Sequence, residues 1–266
     1  MRILVLLFFV FGMLGASELR AATLYGLDHA ADQLITINPI TGLGTAVGPT
    51  GFPVGTGLAF DPSSNTLYGS DFNVNQLFTL NTVTGAGTAV GSFGFPALLG
   101  LAFDPNSNTL YGAEAFADVL LTINPVTGLG TAVGLFGFGG VAGLAFDPNT
   151  NTLYGSDIQT DQLLTINTAT GAGTVIGPLG FNSVTGLAFE PSSNTLYGTD
   201  TSSDQLLTIN TATGAATLVG GLGFLNVEGL AFVQQAAVPE PSTFALLGLG
   251  ALGLLAYRRR KRKPAK

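Results

Sequence analysis

Carboxylates are the side chains in the middle of this sequence that recur at a spacing able to support chemistry. Asp28, Asp71, Glu114, Asp157 and Asp200 form one series, and Asp32, Asp118, Asp161 and Asp204 a second, with Asn75 in its remaining place. Asp61, Asp104, Asp147 and Glu190 form a third, each followed by proline. The three series hold 13 of the 14 acids in residues 23–238, and only Glu228 stands apart. Asp at the first corner and Pro at the second is the pattern of a type I turn, so the third series reads as turns. The fifth copy has Val233 there, where the chain leaves the repeats and needs no turn. The first two series point to carboxylates gathered on one face. Such a face suits Ca²⁺, a hard cation that takes about six to eight oxygens, or sugar hydroxyls. The competing reading is that these acids are solvated turn residues.

A phenylalanine series, Phe52, Phe95, Phe138, Phe181 and Phe224, falls in loops expected on the same face as those acids. It offers either a stacking surface for sugars or a set of packing wedges. For an enzyme the inventory is poor. The single histidine, His29, has Phe72, Ala115, Ile158 and Thr201 as counterparts, so it belongs to no repeated ligand set. The chain has no cysteine, and no Lys or Arg lies between Arg20 and Arg258. Thiol and Schiff-base catalysis and cationic phosphate clamps are therefore excluded from this stretch, as is nucleic-acid binding, which needs cations to displace counterions. Paired carboxylates support glycoside hydrolysis only when one carboxyl differs from its partner in pKa, whereas these series are nearly symmetric. No catalytic residue is expected. No cofactor is expected either, unless Ca²⁺ binds at Asp28, Asp71, Glu114, Asp157 and Asp200.

The elements that must position these residues follow from a repeat. Tyr25, Tyr68, Tyr111, Tyr154 and Tyr197 stand 43 residues apart. Each unit holds four apolar or β-branched runs separated by Gly, Pro, Asn and Asp, which is four short strands. A period of about 40–45 residues with four strands is the arithmetic of a β-propeller blade. Gly-Leu-Ala-Phe is the inner strand, Thr-Leu-Tyr-Gly the second, Leu-Leu-Thr-Ile the third and Thr-Ala-Val-Gly the outer. Leu24 begins a second strand and Gly229–Phe232 is an inner one, so one blade is split between the two ends of the array. The expected fold is all-β, a five-bladed propeller over 23–235 with a three-plus-one closure that leaves no long strand edge. An open β-solenoid would need capping units, and none is seen. The units resemble Gly-rich, lactonase- or quinoprotein-like propeller repeats over residues 24–233.

The two ends read as addresses. Residues 1–22, with Arg2 before the apolar block Ile3–Leu14 and small residues after it, read as a signal peptide that forms a helix. Residues 236–243 are a Pro-rich linker carrying Pro239, Glu240 and Pro241; 244–257 is an apolar transmembrane helix; and 258–266 is a basic cytoplasmic tail. Residues 238–263 resemble the PEP-CTERM sorting signal of Gram-negative bacteria. The resemblance implies an exosortase-type partner that removes the tail, a precursor anchored in the inner membrane, and a destination at the cell surface or in the extracellular matrix. The expectation is a non-enzymatic surface or matrix protein associated with exopolysaccharide or biofilm. The alternatives are a Ca²⁺-dependent carbohydrate-binding or adhesive module and, further off, a propeller glycoside hydrolase.

Overall fold

The structure, a computed structural model, describes residues 22–234. The expected signal helix, the C-terminal membrane helix and the sorting motif at Pro239, Glu240 and Pro241 lie outside the described residues. Among the described residues no helix is long and apolar enough to cross a membrane.

Five four-stranded antiparallel sheets account for the described chain. Blade 1 contains β1 (Thr23–Asp28), β2 (Gln33–Ile37) and β3 (Gly44–Pro49). Blade 2 is β4 (Gly55–Asp61), β5 (Thr66–Asp71), β6 (Gln76–Leu80) and β7 (Gly87–Ser92). Blade 3 is β8 (Leu98–Asp104), β9 (Thr109–Glu114), β10 (Val119–Ile123) and β11 (Gly130–Leu135). Blade 4 is β12 (Val141–Asp147), β13 (Thr152–Asp157), β14 (Gln162–Ile166) and β15 (Gly173–Pro178). Blade 5 is β16 (Val184–Glu190), β17 (Thr195–Asp200), β18 (Gln205–Ile209) and β19 (Ala216–Gly221), and β20 (Val227–Val233) returns to blade 1 as its inner strand. The sheet order β20-β1-β2-β3 is the three-plus-one closure expected from the split repeat. Thr23 faces Val233 and Leu24 faces Phe232 across it.

Burial explains why these runs are so apolar. In β1, five of the six residues are buried, and in β2 both faces contribute buried residues, because each sheet is covered by a blade on either side. The outer strands differ: β3 has no fully buried residue. The core is accordingly a set of interfaces between blades. Between blades 2 and 3, Ala59, Tyr68, Leu77 and Phe93 pack on Leu98, Leu101, Phe103, Leu110, Leu121 and Ile123. Each fully buried Leu contributes about 1.5–3 kcal/mol. Among the described residues there is no Lys or Arg to add ion pairs.

At the axis the inner strands come close enough to exclude a side chain. A Cβ on Gly143 would lie 2.8 Å from the Thr185 carbonyl oxygen of the next blade, and one on Gly229 2.9 Å from the Leu58 nitrogen. The Gly in Gly-Leu-Ala-Phe is a contact point, not a hinge.

The inner-to-second turns crown one end of the strands. Asn106 Nδ2 donates to the Pro148 carbonyl at 3.0 Å, and Asn149 Nδ2 to that of Pro191 at 3.0 Å, linking each turn to the next. Blade 1 lacks such a turn, because there the described chain enters at Thr23 and leaves after Val233. The gap forms a cavity of about 230 Å³ lined by Phe60, Asn65, Thr82, Val83 and Val233 among others.

Candidate functional site

The opposite end of the strands carries the loops singled out by the sequence. There the second-to-third loops meet the loops between blades: Thr50 N–H donates to the Asp32 carbonyl at 2.9 Å, Phe93 N–H to that of Asn75 at 3.0 Å, and Leu222 N–H to that of Asp204 at 2.9 Å. The first two acid series and the phenylalanine series therefore share this loop face, as expected.

The first acid series caps its own loops. Asp28, Asp71, Glu114, Asp157 and Asp200 are all buried, none more than 3% exposed. Asp71 Oδ1 accepts the Asn73 and Val74 N–H groups at 2.8 and 2.9 Å, and its Oδ2 accepts that of Val54 at 3.2 Å. Asp28 accepts the Ala30 N–H at 3.0 Å and Gln33 Nε2 at 2.7 Å. Glu114, one methylene longer, divides its oxygens between the Phe116 and Ala117 N–H groups, at 3.0 and 2.7 Å. Asp200 accepts the Ser202 and Ser203 hydroxyls at 2.7 and 2.6 Å, and Asp157 that of Thr160. These acids are turn residues, yet they are not solvated: each replaces water for a loop backbone at the end of a buried strand. The structure sets one of them in each blade. Among the described residues no three His, Cys, Asp or Glu come together in a group able to hold a metal ion.

The second series has a backbone cause. Asp32, Asn75, Asp118, Asp161 and Asp204 all have φ between 52° and 54°, the left-handed region that Asp and Asn enter most readily after Gly. Asn75 and Asp204 use Oδ1 to accept the Ala97 and Asn226 N–H groups at 2.9 and 2.8 Å. In the third series, burial pushes the Asp61 and Glu190 carboxyls upward. Hydrogen bonds outweigh it, from Ser64 and Ser63 to Asp61 and from Ser192 and Ser193 to Glu190, so both acids are held below their ordinary range.

The phenylalanine series is a set of wedges. Phe52 stacks on Phe78 of the next blade, with centroids 4.2 Å apart and planes 6° from parallel. Phe95, Phe138, Phe181 and Phe224 are half-buried against the equivalent interfaces. Their exposure is too limited for the stacking surface that their series alone suggested.

The exposed aromatic surface lies elsewhere. Phe116 is 71% exposed and meets Phe72 of blade 2 edge to face, with centroids 6.2 Å apart and planes at 73°. Val74, two residues after Phe72, is also exposed. Sequence reasoning passed over this pair because the two rings occupy different places in their repeats. The signal that marks them is divergence within one chain: between the first two acid series the copies read His29-Ala30-Ala31, Phe72-Asn73-Val74, Ala115-Phe116-Ala117, Ile158-Gln159-Thr160 and Thr201-Ser202-Ser203. The loops between blades diverge too, as in Pro53-Val54, Gly139-Gly140 and Leu225-Asn226, whereas the strands are nearly alike.

Two other features complete the site region. His29 Nδ1 lies 3.4 Å from Glu228 Oε1 where blade 1 closes, and burial raises the Glu228 pKa while His29 pulls it down. The central channel is about 70 Å³ and is lined by the Leu-Ala-Phe runs of all five inner strands, with no titratable side chain.

Comparison with known proteins bears on both parts of the chain. Residues 237–261 match the family described as PEP-CTERM protein-sorting motif. The chain thus carries a PEP-CTERM sorting signal, which implies an exported protein handled by an exosortase-type sorting enzyme. No curated protein matches the chain. Among solved structures, the "Crystal structure of Nidogen/Laminin Complex" is similar with a TM-score of 0.59 at 14% identity, over 80% of this chain and 98% of that one. A virginiamycin B lyase from Staphylococcus aureus aligns with a TM-score of 0.46 at 18% identity, over 71% of this chain and 63% of that one. The first likeness supports the propeller fold and nothing finer.

Proposed function

We propose that this chain is a non-enzymatic binding protein of the cell surface or extracellular matrix, sorted by an exosortase and associated with extracellular polysaccharide. The observation that carries the reading is the division of labour between the two ends of the propeller. One end bears interlinked turns of nearly constant length and type and the points where the described chain enters and leaves; the other bears the loops in which the five units diverge most. A rigid scaffold with variable loops on one face is how binding proteins vary specificity without changing fold. The carboxylates of the first series are engaged as loop caps, and the central channel, at about 70 Å³, is well below the ~300 Å³ at which small-molecule sites begin.

The same engagement argues for function without a cofactor. In a Ca²⁺-dependent adhesive mode, ions would bridge Asp28, Asp71, Glu114, Asp157 and Asp200 to acidic polysaccharide. That mode needs carboxylates that are buried one to a blade to turn outward from the loops they cap.

The test is made in the source bacterium with an epitope-tagged chain. Wild type is expected in the matrix fraction. A Pro239→Ala/Glu240→Ala/Pro241→Ala variant should stay with the membranes. The purified 22–235 propeller should be retained on a column of the organism's own extracellular polysaccharide and release no sugar from it. Failure of the propeller to be retained, or measurable glycan cleavage, rules the proposal out.

A further inference from the structure

We propose that Phe72 and Phe116 form a subsite for one or two neutral sugar rings on the loop face. This rests on the polysaccharide-binding reading above and assigns it a place and a chemistry.

Three observations lead there. The first is that the pair is not a product of the repeat. Phe72 is the first residue after its acid and Phe116 the second, and their counterparts are His29, Ala115, Ile158 and Thr201, and Ala30, Asn73, Gln159 and Ser202. Blades 1, 4 and 5 close with His29-Ala30, Ile158-Gln159 and Thr201-Ser202 at these places, so the fold requires neither phenylalanine.

The second observation is charge. Residues 22–234 contain no Lys or Arg, and the ionisable groups in these two loops are the acids Asp71, Glu114 and Asp118. A polyanion, a phosphate or a nucleic acid finds repulsion there and no counter-charge. A neutral hexose loses nothing by this. Its axial C–H face packs on an aromatic face, and its hydroxyls find amide groups such as that of exposed Asn73.

The third is size. A stable protein interface buries about 800 Å² per partner, and a phenylalanine contributes at most ~150–250 Å². Phe72 is half-buried already, so these two rings and Val74 present too little apolar surface for a second copy of the chain. The area matches a short stretch of glycan. The 73° angle between the rings makes two walls of an open corner, able to hold a ring against either.

The experiment uses the 22–235 propeller, which the structure shows as a compact unit closed by its own β20. Cellohexaose, maltohexaose and dextran serve as neutral probes and polygalacturonate as the anionic one, titrated by calorimetry. At least one neutral probe should bind and polygalacturonate should not. Phe72→Ala/Phe116→Ala should lose at least about tenfold in affinity, with an unchanged melting temperature and elution volume. Phe116→Trp, which keeps a larger stacking face, should bind as well as wild type or better. The inference is overturned if no neutral probe binds, if the double alanine variant binds like wild type, or if the wild type elutes as a dimer that the variant loses. Retention on the native polysaccharide column by the double variant at wild-type strength would discard this subsite while leaving the broader function standing. Loss of retention by wild type itself would discard both.

Discussion

Asp71 shows what one carboxylate does in this molecule. It is fully buried and accepts three backbone N–H groups, from Asn73, Val74 and Val54. Removing the acceptor leaves buried donors unpaired, at a cost of about 1–3 kcal/mol for each that water cannot reach. Asp71→Ala is therefore expected to lower unfolding free energy by about 2–4 kcal/mol in urea titrations. Asp71→Asn keeps an acceptor oxygen on the Asn73 and Val74 donors but turns an amide NH₂ toward the Val54 N–H, so it should cost about 1–2 kcal/mol, less than the alanine variant. Wild type should melt at the same temperature in EDTA and in millimolar Ca²⁺. A rise of several degrees with Ca²⁺ that Asp71→Asn abolishes would instead reveal a bound ion, through its linkage to folding. Asp61 and Glu190 act in the same manner at the other end of the strands. Their pKa values are depressed, so their contribution is present above the ordinary carboxylate range and is lost as pH falls through the depressed values.

Among the elements, the inner strand is the most constrained. Its Gly-Leu-Ala-Phe run meets the neighbouring inner strand backbone to backbone at the glycine and side chain to side chain beyond it. Gly143→Ala would place a methyl group 2.8 Å from the Thr185 carbonyl oxygen, 2.7 Å from Ser156 Oγ and 2.9 Å from Leu187 Cγ, and the fixed carbonyl and the buried side chains leave little room to relax. A loss of about 2–3 kcal/mol is expected from such overpacking. Gly139→Ala is the control. There the nearest atom, 2.9 Å away, is the end of the Gln159 side chain, which can swing aside, so the change should stay within about 0.5 kcal/mol. Equal effects in thermal melts would mean that the axial contact is not what holds the strands at this spacing.

At the scale of the whole molecule, the ring is closed by one strand and interrupted at one turn. β20 covers the free edge of β1 and completes the cluster in which Leu24, Ile35 and Ile37 meet Leu222, Val227 and Leu230. The missing turn should be interchangeable with its four counterparts. A permuted chain that replaces Val233 with Asp, continues Pro-Ser-Ser-Asn into Thr23, and opens between Ser63 and Ser64 moves the gap from blade 1 to blade 2. It is expected to unfold cooperatively with a melting temperature close to that of the parent, because loop-closure entropy changes by only about 0.6 kcal/mol per doubling of length. Deleting 227–233 should instead yield aggregates on size-exclusion chromatography, since an unpaired β1 is an open strand edge. A soluble monomer from the deletion would contradict the closure.

The four strands of each unit, the five-fold count and the split blade were legible in the sequence, although the inner strands begin before the Gly-Leu-Ala-Phe runs, as at Gly55 and Val141. They depend on local alternation, on turn residues such as the Asn38 and Asp61 series, and on an unbroken 43-residue period. The same repeat places the acids and phenylalanines on a common face, because strand direction alone settles which loops emerge together. What they left open was decided by the neighbouring blade. Asp28 and its equivalents look like solvated loop residues until the adjoining strands and loops bury them, and the Phe52 series looks like a ligand surface until each ring is seen lodged in the next interface. Phe72 and Phe116 are unremarkable as single positions and become a pair only when blades 2 and 3 stand side by side. Burial and cross-blade contact are sums over residues roughly one period apart, and their values exist only once the ring is closed.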